Sequence, residues 1–107
     1  MLRKKVRITI LKKVDPKVIF DGKAPITPTG KEYQKCPKGN EGQEFIVDTN
    51  LTCPEGFCNW AWFDIYKDIS VLAHGGDFYD WVERGKMYTC CSDGIRPVSF
   101  LLERIEE

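Results

Sequence analysis

The sequence predicts an α+β fold in which a small, mainly antiparallel sheet packs against one principal helix. Short apolar runs bounded by turn residues recur along the chain, which is typical of strands. Only one segment, roughly 59–74, is long and amphipathic enough to form a substantial helix. The last two apolar runs flank an Asp-Gly turn, which favours a hairpin and therefore antiparallel pairing.

The first strand is predicted over Val6–Leu11, where apolar and polar side chains alternate. Asp15 and Pro16 then supply an N-cap and a first helical residue, so a single helical turn is expected over Lys17–Phe20. The second strand is predicted over Glu44–Asp48, because its aromatic and β-branched centre lies between turn residues.

The principal helix is predicted over Asn59–His74 and ends at Gly75, a residue type that readily closes helices. Side chains that recur at helical spacing form an apolar stripe consisting of Trp62, Ile65, Ile69 and Leu72. Extending this stripe one turn backwards places Cys58 in line with it. We therefore expect Cys58 to face the interior.

Another side of the same helix carries a second apolar group, formed by Trp60, Phe63 and Val71. We call these three residues the aromatic patch. Large exposed apolar patches are uncommon on monomers. We therefore expect the proline-rich loop 22–30 or a second copy of the chain to cover the aromatic patch, and a homo-oligomer is the predicted partner state.

After the helix, Asp77 is expected to cap a short turn that buries Phe78, Trp81 and Val82. The last two strands are predicted over Lys86–Cys90 and Val98–Leu102, joined by the turn Ser92-Asp93-Gly94. The 107 residues fit one domain spanning 1–107, since domains commonly contain about 100 to 150 residues.

Composition excludes several function classes. Lys plus Arg and Asp plus Glu both total 16, so the formal net charge is zero. The protein therefore has no overall positive charge that would attract nucleic acid or an anionic membrane. The first apolar run is interrupted by Arg7 and is too short for a signal peptide, and no run approaches the length of a membrane helix. We therefore expect a cytoplasmic protein with no nucleic-acid or membrane partner.

Five cysteines are the main candidates for chemistry: Cys36, Cys53, Cys58, Cys90 and Cys91. In a reducing compartment thiols act as ligands, nucleophiles or small buried side chains more often than as disulfides. Neighbouring residues on a strand point to opposite faces, so only one member of the adjacent pair reaches a shared site. Four thiolates then remain, which is the number that tetrahedral zinc or an iron–sulfur cluster requires, although the spacing departs from paired C-x2-C motifs.

A redox-active thiol is the second interpretation. Cys58 lies at the predicted helix N-terminus, where unpaired amides and the macrodipole favour a thiolate. Arg96 is restrained by the following proline and is the first candidate for binding an anion near this thiol. A transient disulfide between Cys58 and Cys90 or Cys91 fits this arrangement.

The alternative is a non-catalytic ligand- or protein-binding module in which the cysteines only fill space. In that interpretation the aromatic patch is the working surface, and Trp60 could also stack on a flat ligand. Asp64 and Asp68 lie one helical turn apart and are interpreted as a solvated face. Whether the protein is an enzyme stays open.

Four stretches carry unusual combinations of cysteine, tryptophan, glycine and proline: Cys36-Pro37, 41–45, 56–62 and 90–98. Over a span from Val6 to Ile105 these motifs resemble a family of small prokaryotic proteins of unassigned function. The resemblance implies a signature set consisting of Cys36, Cys58, Cys90, Cys91 and Arg96. It implies no activity, cofactor or fold, and it does not include Cys53.

Overall fold

The structure, a computed structural model, describes residues 2–106 and confirms the predicted α+β fold. Within that range one four-stranded antiparallel sheet has the strand order β2-β1-β4-β3. The elements are β1 (Val6–Lys13), α1 (Pro16–Ile19), β2 (Glu44–Val47), α2 (Asn59–Ala73), β3 (Lys86–Cys90) and β4 (Val98–Arg104).

The two central strands are longer than predicted because they pair with each other over almost their whole length. β1 continues to Lys13, which pairs with Val98, and β4 continues to Arg104, which pairs with Val6. The register shifts between Ile10 and Lys12, where β1 forms a bulge. A bulge inserts an extra residue and interrupts the alternation of apolar and polar side chains. The alternation therefore predicts a strand that ends before the bulge.

Helix α2 covers one face of the sheet, and the core lies between them. Residues of the predicted stripe are buried, including Ile65, Ile69 and Leu72, which are fully inaccessible. Strand alternation supplies the other side of the core. The main inward side chains of the sheet are Val6, Ile8, Ile10, Phe45, Val47, Met87, Val98, Phe100 and Leu102.

The opposite face of the sheet carries charged side chains in register. Arg7 pairs with Glu103 across β1 and β4, and its Nη1 atom lies 3.5 Å from Glu103 Oε1. Lys86 Nζ lies 3.9 Å from the other oxygen of the same carboxylate. This face is therefore solvated and contributes little to the core.

Arg104 closes the C-terminal end of α2, a role that no local sequence pattern indicates. Its side chain is 2% exposed, and Nη1 donates to the carbonyl oxygens of Leu72 and Gly76 at 3.3 and 2.8 Å. Nη2 donates to Asp77 Oδ1 at 3.1 Å and Nε donates to Glu106 Oε2 at 2.7 Å. Burial lowers the pKa of Arg104, but these carboxylate hydrogen bonds outweigh burial and raise it. The guanidinium therefore adds a second donor to the Leu72 carbonyl, which Gly75 N also bonds at 3.0 Å, and bonds the Gly76 carbonyl just beyond the helix.

Two predictions, one for α2 and one for the segment that follows it, are wrong at particular residues. Trp81 is 75% exposed instead of buried, whereas Phe78 and Val82 are partly buried against the core. The Asp77 carboxylate accepts hydrogen bonds from Gly85 N, at 2.7 Å, and from Arg104. Asp68 is only 5% exposed, with Lys67 Nζ 3.2 Å from its carboxylate. Asp64 accepts a hydrogen bond from Ser92 N at 2.8 Å, so these two acids are not a solvated face.

Candidate thiol pocket

A cavity of about 390 Å³ opens where the N-terminus of α2 meets one end of the sheet. We call it the thiol pocket, because three of the five cysteines line it: Cys36, Cys58 and Cys91. Buried apolar side chains from four elements and the preceding turn form its walls. These side chains are Ile10, Phe45, Phe57, Ala61, Val98 and Phe100.

The turn before α2 places Cys58 at the pocket. Phe57 N donates to Pro54 O at 3.1 Å, and Gly56 adopts a φ of 82°, which glycine reaches without strain. Phe57 is thereby buried, with its ring 5.1 Å from that of Phe45. The next residue, Cys58, becomes the N-cap, and its carbonyl accepts the first helical hydrogen bond from Trp62 N at 3.0 Å.

Cys58 is an unusual N-cap. Ser, Thr, Asp and Asn are the preferred residues, because their side-chain oxygens accept hydrogen bonds from amides of the first turn. The Cys58 side chain makes no such hydrogen bond. The start of a 15-residue helix is therefore left without a side-chain cap at the wall of the pocket.

The hairpin between β3 and β4 brings Cys91 to the pocket and leaves Cys90 outside. Cys90 pairs with Ser99, which lies between the inward residues Val98 and Phe100, so Cys90 is exposed on the outer face. Cys91 lies one residue further, where its amide donates to Val98 O at 3.1 Å and its sulfur accepts from Val98 N at 3.3 Å. The strand register thereby answers which member of the adjacent pair faces the site.

Cys53 does not line the pocket either. Its thiol donates to the carbonyl oxygens of Pro54 and Phe57, at 3.7 and 3.8 Å. Burial raises the pKa of the Cys53 thiol, the negative charge of a Cys58 thiolate adds to this rise, and Lys38 opposes it. Cys53 is therefore held as a neutral thiol within the turn.

The loop that carries Cys36 passes close over β1. Gly39 adopts a φ of 69°, and a Cβ atom there would lie 2.6 Å from Ile10 Cδ1. Lys13 Nζ donates to Gly39 O at 2.8 Å and fixes the loop from the other side. Glycine is favoured at this position mainly by its φ, and a Cβ there would also displace the Ile10 terminal methyl. The close approach closes the pocket on the side of Cys36.

Arg96 also lines the pocket, and its role in binding an anion stays a prediction. Its Nε atom lies 3.3 Å from Asp93 Oδ2, and its guanidinium lies 5.5 Å from the centre of the Tyr33 ring. Asp93 Oδ1 accepts from the amides of Ile95 and Arg96, at 2.9 and 3.1 Å. Burial by itself raises the pKa of Asp93, but these hydrogen bonds outweigh it and hold the pKa below its ordinary value.

Residues of the aromatic patch lie beside the pocket and on the adjoining helix surface. Trp60 is 71% exposed, Phe63 is 76% exposed and Val71 is 39% exposed. Trp60 also lines the pocket, and its Nε1 atom donates to Ser92 Oγ at 3.3 Å. The proline-rich loop does not bury these side chains.

No thiol of the described chain is in a disulfide. Between residues 2 and 106, no three or more His, Cys, Asp or Glu side chains form a group that could hold a metal ion. Binding of zinc or an iron–sulfur cluster stays a prediction. Elemental analysis of anaerobically purified protein tests it, with Cys58→Ser as the matched variant.

Comparison with known protein families, with curated proteins and with solved structures finds no match to this chain. The resemblance on the cysteine motifs therefore stays a prediction. None of the helices between residues 2 and 106 is long and apolar enough to cross a membrane.

Proposed function

We propose that this protein is a cytoplasmic thiol–disulfide exchange protein whose working site is the thiol pocket. Cys58 is the attacking thiol, and Cys91 or Cys36 is the resolving thiol. The observation that carries this proposal is that three cysteines from three separate chain segments line one cavity with Arg96. Cysteines that only fill space in the core are not expected to line the same cavity.

The N-cap position supports Cys58 as the attacking residue. A serine or aspartate there would stabilise α2, so a thiol without a capping hydrogen bond is a local cost to the fold. Conflicts between local preference and structure are expected at functional sites. The first amides of α2 also favour negative charge on a group at this end of the helix.

The exchange reaction balances without a metal. The Cys58 thiolate attacks one sulfur of a small disulfide, RSSR, forming a mixed disulfide and releasing RS⁻. The thiolate of Cys91 or Cys36 then attacks the Cys58 sulfur, forms a protein disulfide and releases the second RS⁻. The two thiol protons pass to solvent and on to the released thiolates. A dithiol of the reducing cytoplasm returns the protein disulfide to two thiols.

Thiol mapping tests the proposal. The Cys90→Ser variant is the starting protein, because the exposed Cys90 thiol would otherwise add its own reactivity. We expect Cys58 to be alkylated by iodoacetamide at pH 7 about tenfold faster than a cysteine in a short unstructured peptide. One equivalent of hydroxyethyl disulfide should then leave a protein disulfide that includes Cys58, detected by peptide mass mapping.

Cys53→Ser is the matched control, because Cys53 shares the turn but is held as a neutral thiol outside the pocket. This variant should keep both the fast alkylation and the new disulfide. The proposal fails if Cys58 reacts no faster than the peptide, or if oxidation yields no disulfide that contains Cys58.

A second candidate function is association through the aromatic patch, which the high exposure of Trp60 and Phe63 favours. In this function a second copy of the chain packs on the patch and gives a homo-oligomer. Sedimentation velocity over a range of concentrations tests it. We expect association in the native protein and its loss in Phe63→Glu, whereas Tyr79→Glu, at an 84% exposed aromatic elsewhere, should leave it unchanged. A native protein that sediments as a monomer at all concentrations would contradict it.

A further inference from the structure

The charges around the thiol pocket are not balanced. Its charged lining residues are Lys38, Asp93 and Arg96, which sum to one net positive charge. The remaining wall is mainly apolar and includes the rings of Phe45, Phe57 and Phe100. A cavity with apolar walls and a few placed polar groups is typical of a small-molecule site. Its volume of 390 Å³ lies near the lower end of the range of about 300–1,000 Å³ for such sites.

Arg96 is arranged to hold a carboxylate. Asp93 binds its Nε atom, and the Tyr33 ring lies against its guanidinium. Nη1 and Nη2 make no hydrogen bond to any group between residues 2 and 106. The terminal fork of a guanidinium matches the two oxygens of a carboxylate. Asp93 therefore positions Arg96 and leaves the part that recognises carboxylates available.

Three aromatic rings define the apolar part of the cavity. The Phe57 ring lies 5.1 Å from that of Phe45 and 5.4 Å from that of Phe100, which forms a continuous aromatic wall. Flat or short apolar groups pack well against such a wall. Arg96 and Cys58 line the same cavity, so a ligand held by Arg96 shares that cavity with the Cys58 thiol.

We infer that the disulfide substrate of the thiol pocket is a small molecule with an apolar, aromatic-sized body and a carboxylate that Arg96 binds. This inference rests on the proposed exchange function and names its substrate class. Arg96 and the aromatic wall orient the disulfide, and Cys58 attacks it.

Two disulfide reagents with aromatic bodies test the inference. The first, 5,5′-dithiobis(2-nitrobenzoate), carries a carboxylate on each ring, and the second, 4,4′-dithiodipyridine, is uncharged at pH 7. In each reaction Cys58 forms a mixed disulfide and one aromatic thiolate or thione leaves, which absorbance reports. With Cys90→Ser as the starting protein, we expect Arg96→Gln to slow the carboxylated reagent about tenfold and leave the uncharged one unchanged.

Arg84→Gln is the matched control, because the Arg84 side chain is 83% exposed and does not line the pocket. It should change neither rate. Far-UV circular dichroism and urea unfolding establish that Arg96→Gln is folded. If Arg96→Gln slows both reagents equally or neither, the substrate inference is wrong while the exchange function stands.

Ligand binding gives a readout that does not depend on thiol reactivity. We expect 4-phenylbutyrate, followed by isothermal titration calorimetry, to bind the native protein at least tenfold more tightly than its uncharged amide. This preference should be lost in Arg96→Gln. If Cys58 proves unreactive but the preference is observed, the exchange function fails and a carboxylate-binding pocket remains. If the acid and the amide bind equally, or neither binds, the inference is overturned.

Discussion

The two ends of helix α2 are built in opposite ways. At the C-terminal end, Arg104 is 2% exposed and donates to two carbonyl oxygens and two carboxylates. At the N-terminal end, Cys58 makes no capping hydrogen bond, and a cavity of about 390 Å³ lies beside it.

This difference separates a stabilising region from the region that we propose to be reactive. Buried polar groups cost free energy unless they are paired, so a fully paired end is what stability requires. An end that lacks a side-chain cap and leaves a guanidinium fork unpaired is less stable but can bind a ligand. The Arg104 end therefore stabilises the helix, and the Cys58 end is where we propose that the chemistry occurs.

The largest effect is expected from removing the guanidinium at the stable end. Arg104→Met keeps much of the side-chain volume but leaves two carbonyls and the Asp77 carboxylate without this donor. We expect a loss of about 3 kcal/mol in the free energy of unfolding, measured by urea denaturation. Thiol reactivity of the folded protein should be unchanged.

Arg84→Met is the control for this change. Arg84 Nε lies 4.0 Å from the same Asp77 carboxylate, but its side chain is 83% exposed. We expect a change within about 0.5 kcal/mol. Equal losses of unfolding free energy in the two variants would show that burial of Arg104 does not stabilise the C-terminal end of α2.

A smaller effect of opposite sign is expected at the reactive end. Cys58→Ser places a preferred N-cap residue where the thiol makes no capping hydrogen bond. We expect the free energy of unfolding to rise by about 1 kcal/mol while the fast thiol chemistry is lost. Urea denaturation and iodoacetamide labelling measure the two effects on the same sample.

Cys90→Ser is the matched change at an exposed thiol, and it should leave stability unchanged within error. A loss of stability in Cys58→Ser would mean that the thiol contributes packing that the cap does not replace. The contrast between the two ends of α2 would then be weaker than proposed.

The smallest effect is expected from acid titration of Asp77. The amide of Gly85 lowers the pKa of this carboxyl, burial opposes the shift, and Arg104 lowers the pKa further. A carboxyl with a depressed pKa stabilises the fold above its unfolded pKa of about 3.9, and this contribution is lost as the pH falls through the folded pKa. Asp77→Asn should therefore lower the urea midpoint at pH 7, and the difference from the native protein should shrink at pH 3. A difference that does not depend on pH would contradict this linkage.

The fold class could be predicted because its signals are local. Alternation in β1 and the helical spacing of Trp62, Ile65 and Leu72 each depend on residues that are close in the sequence. The Asp-Gly turn places β3 beside β4 for the same reason. Strand ends were less predictable, since Lys13 and Arg104 extend their strands through pairing with a distant partner.

The sequence by itself determined which residues could carry chemistry and that Cys58 begins the main helix and faces inwards. Tertiary structure decided which of them meet. The register of β3 on β4 turned Cys90 outwards and Cys91 into the pocket, and the turn at Pro54 kept Cys53 away from it. The role of Arg104 was also not predictable from the sequence. It is a charged residue at an inward position of β4, and it finds a partner there only because α2 packs against that strand. Contacts between segments far apart in the chain depend on packing and register, which local patterns do not encode.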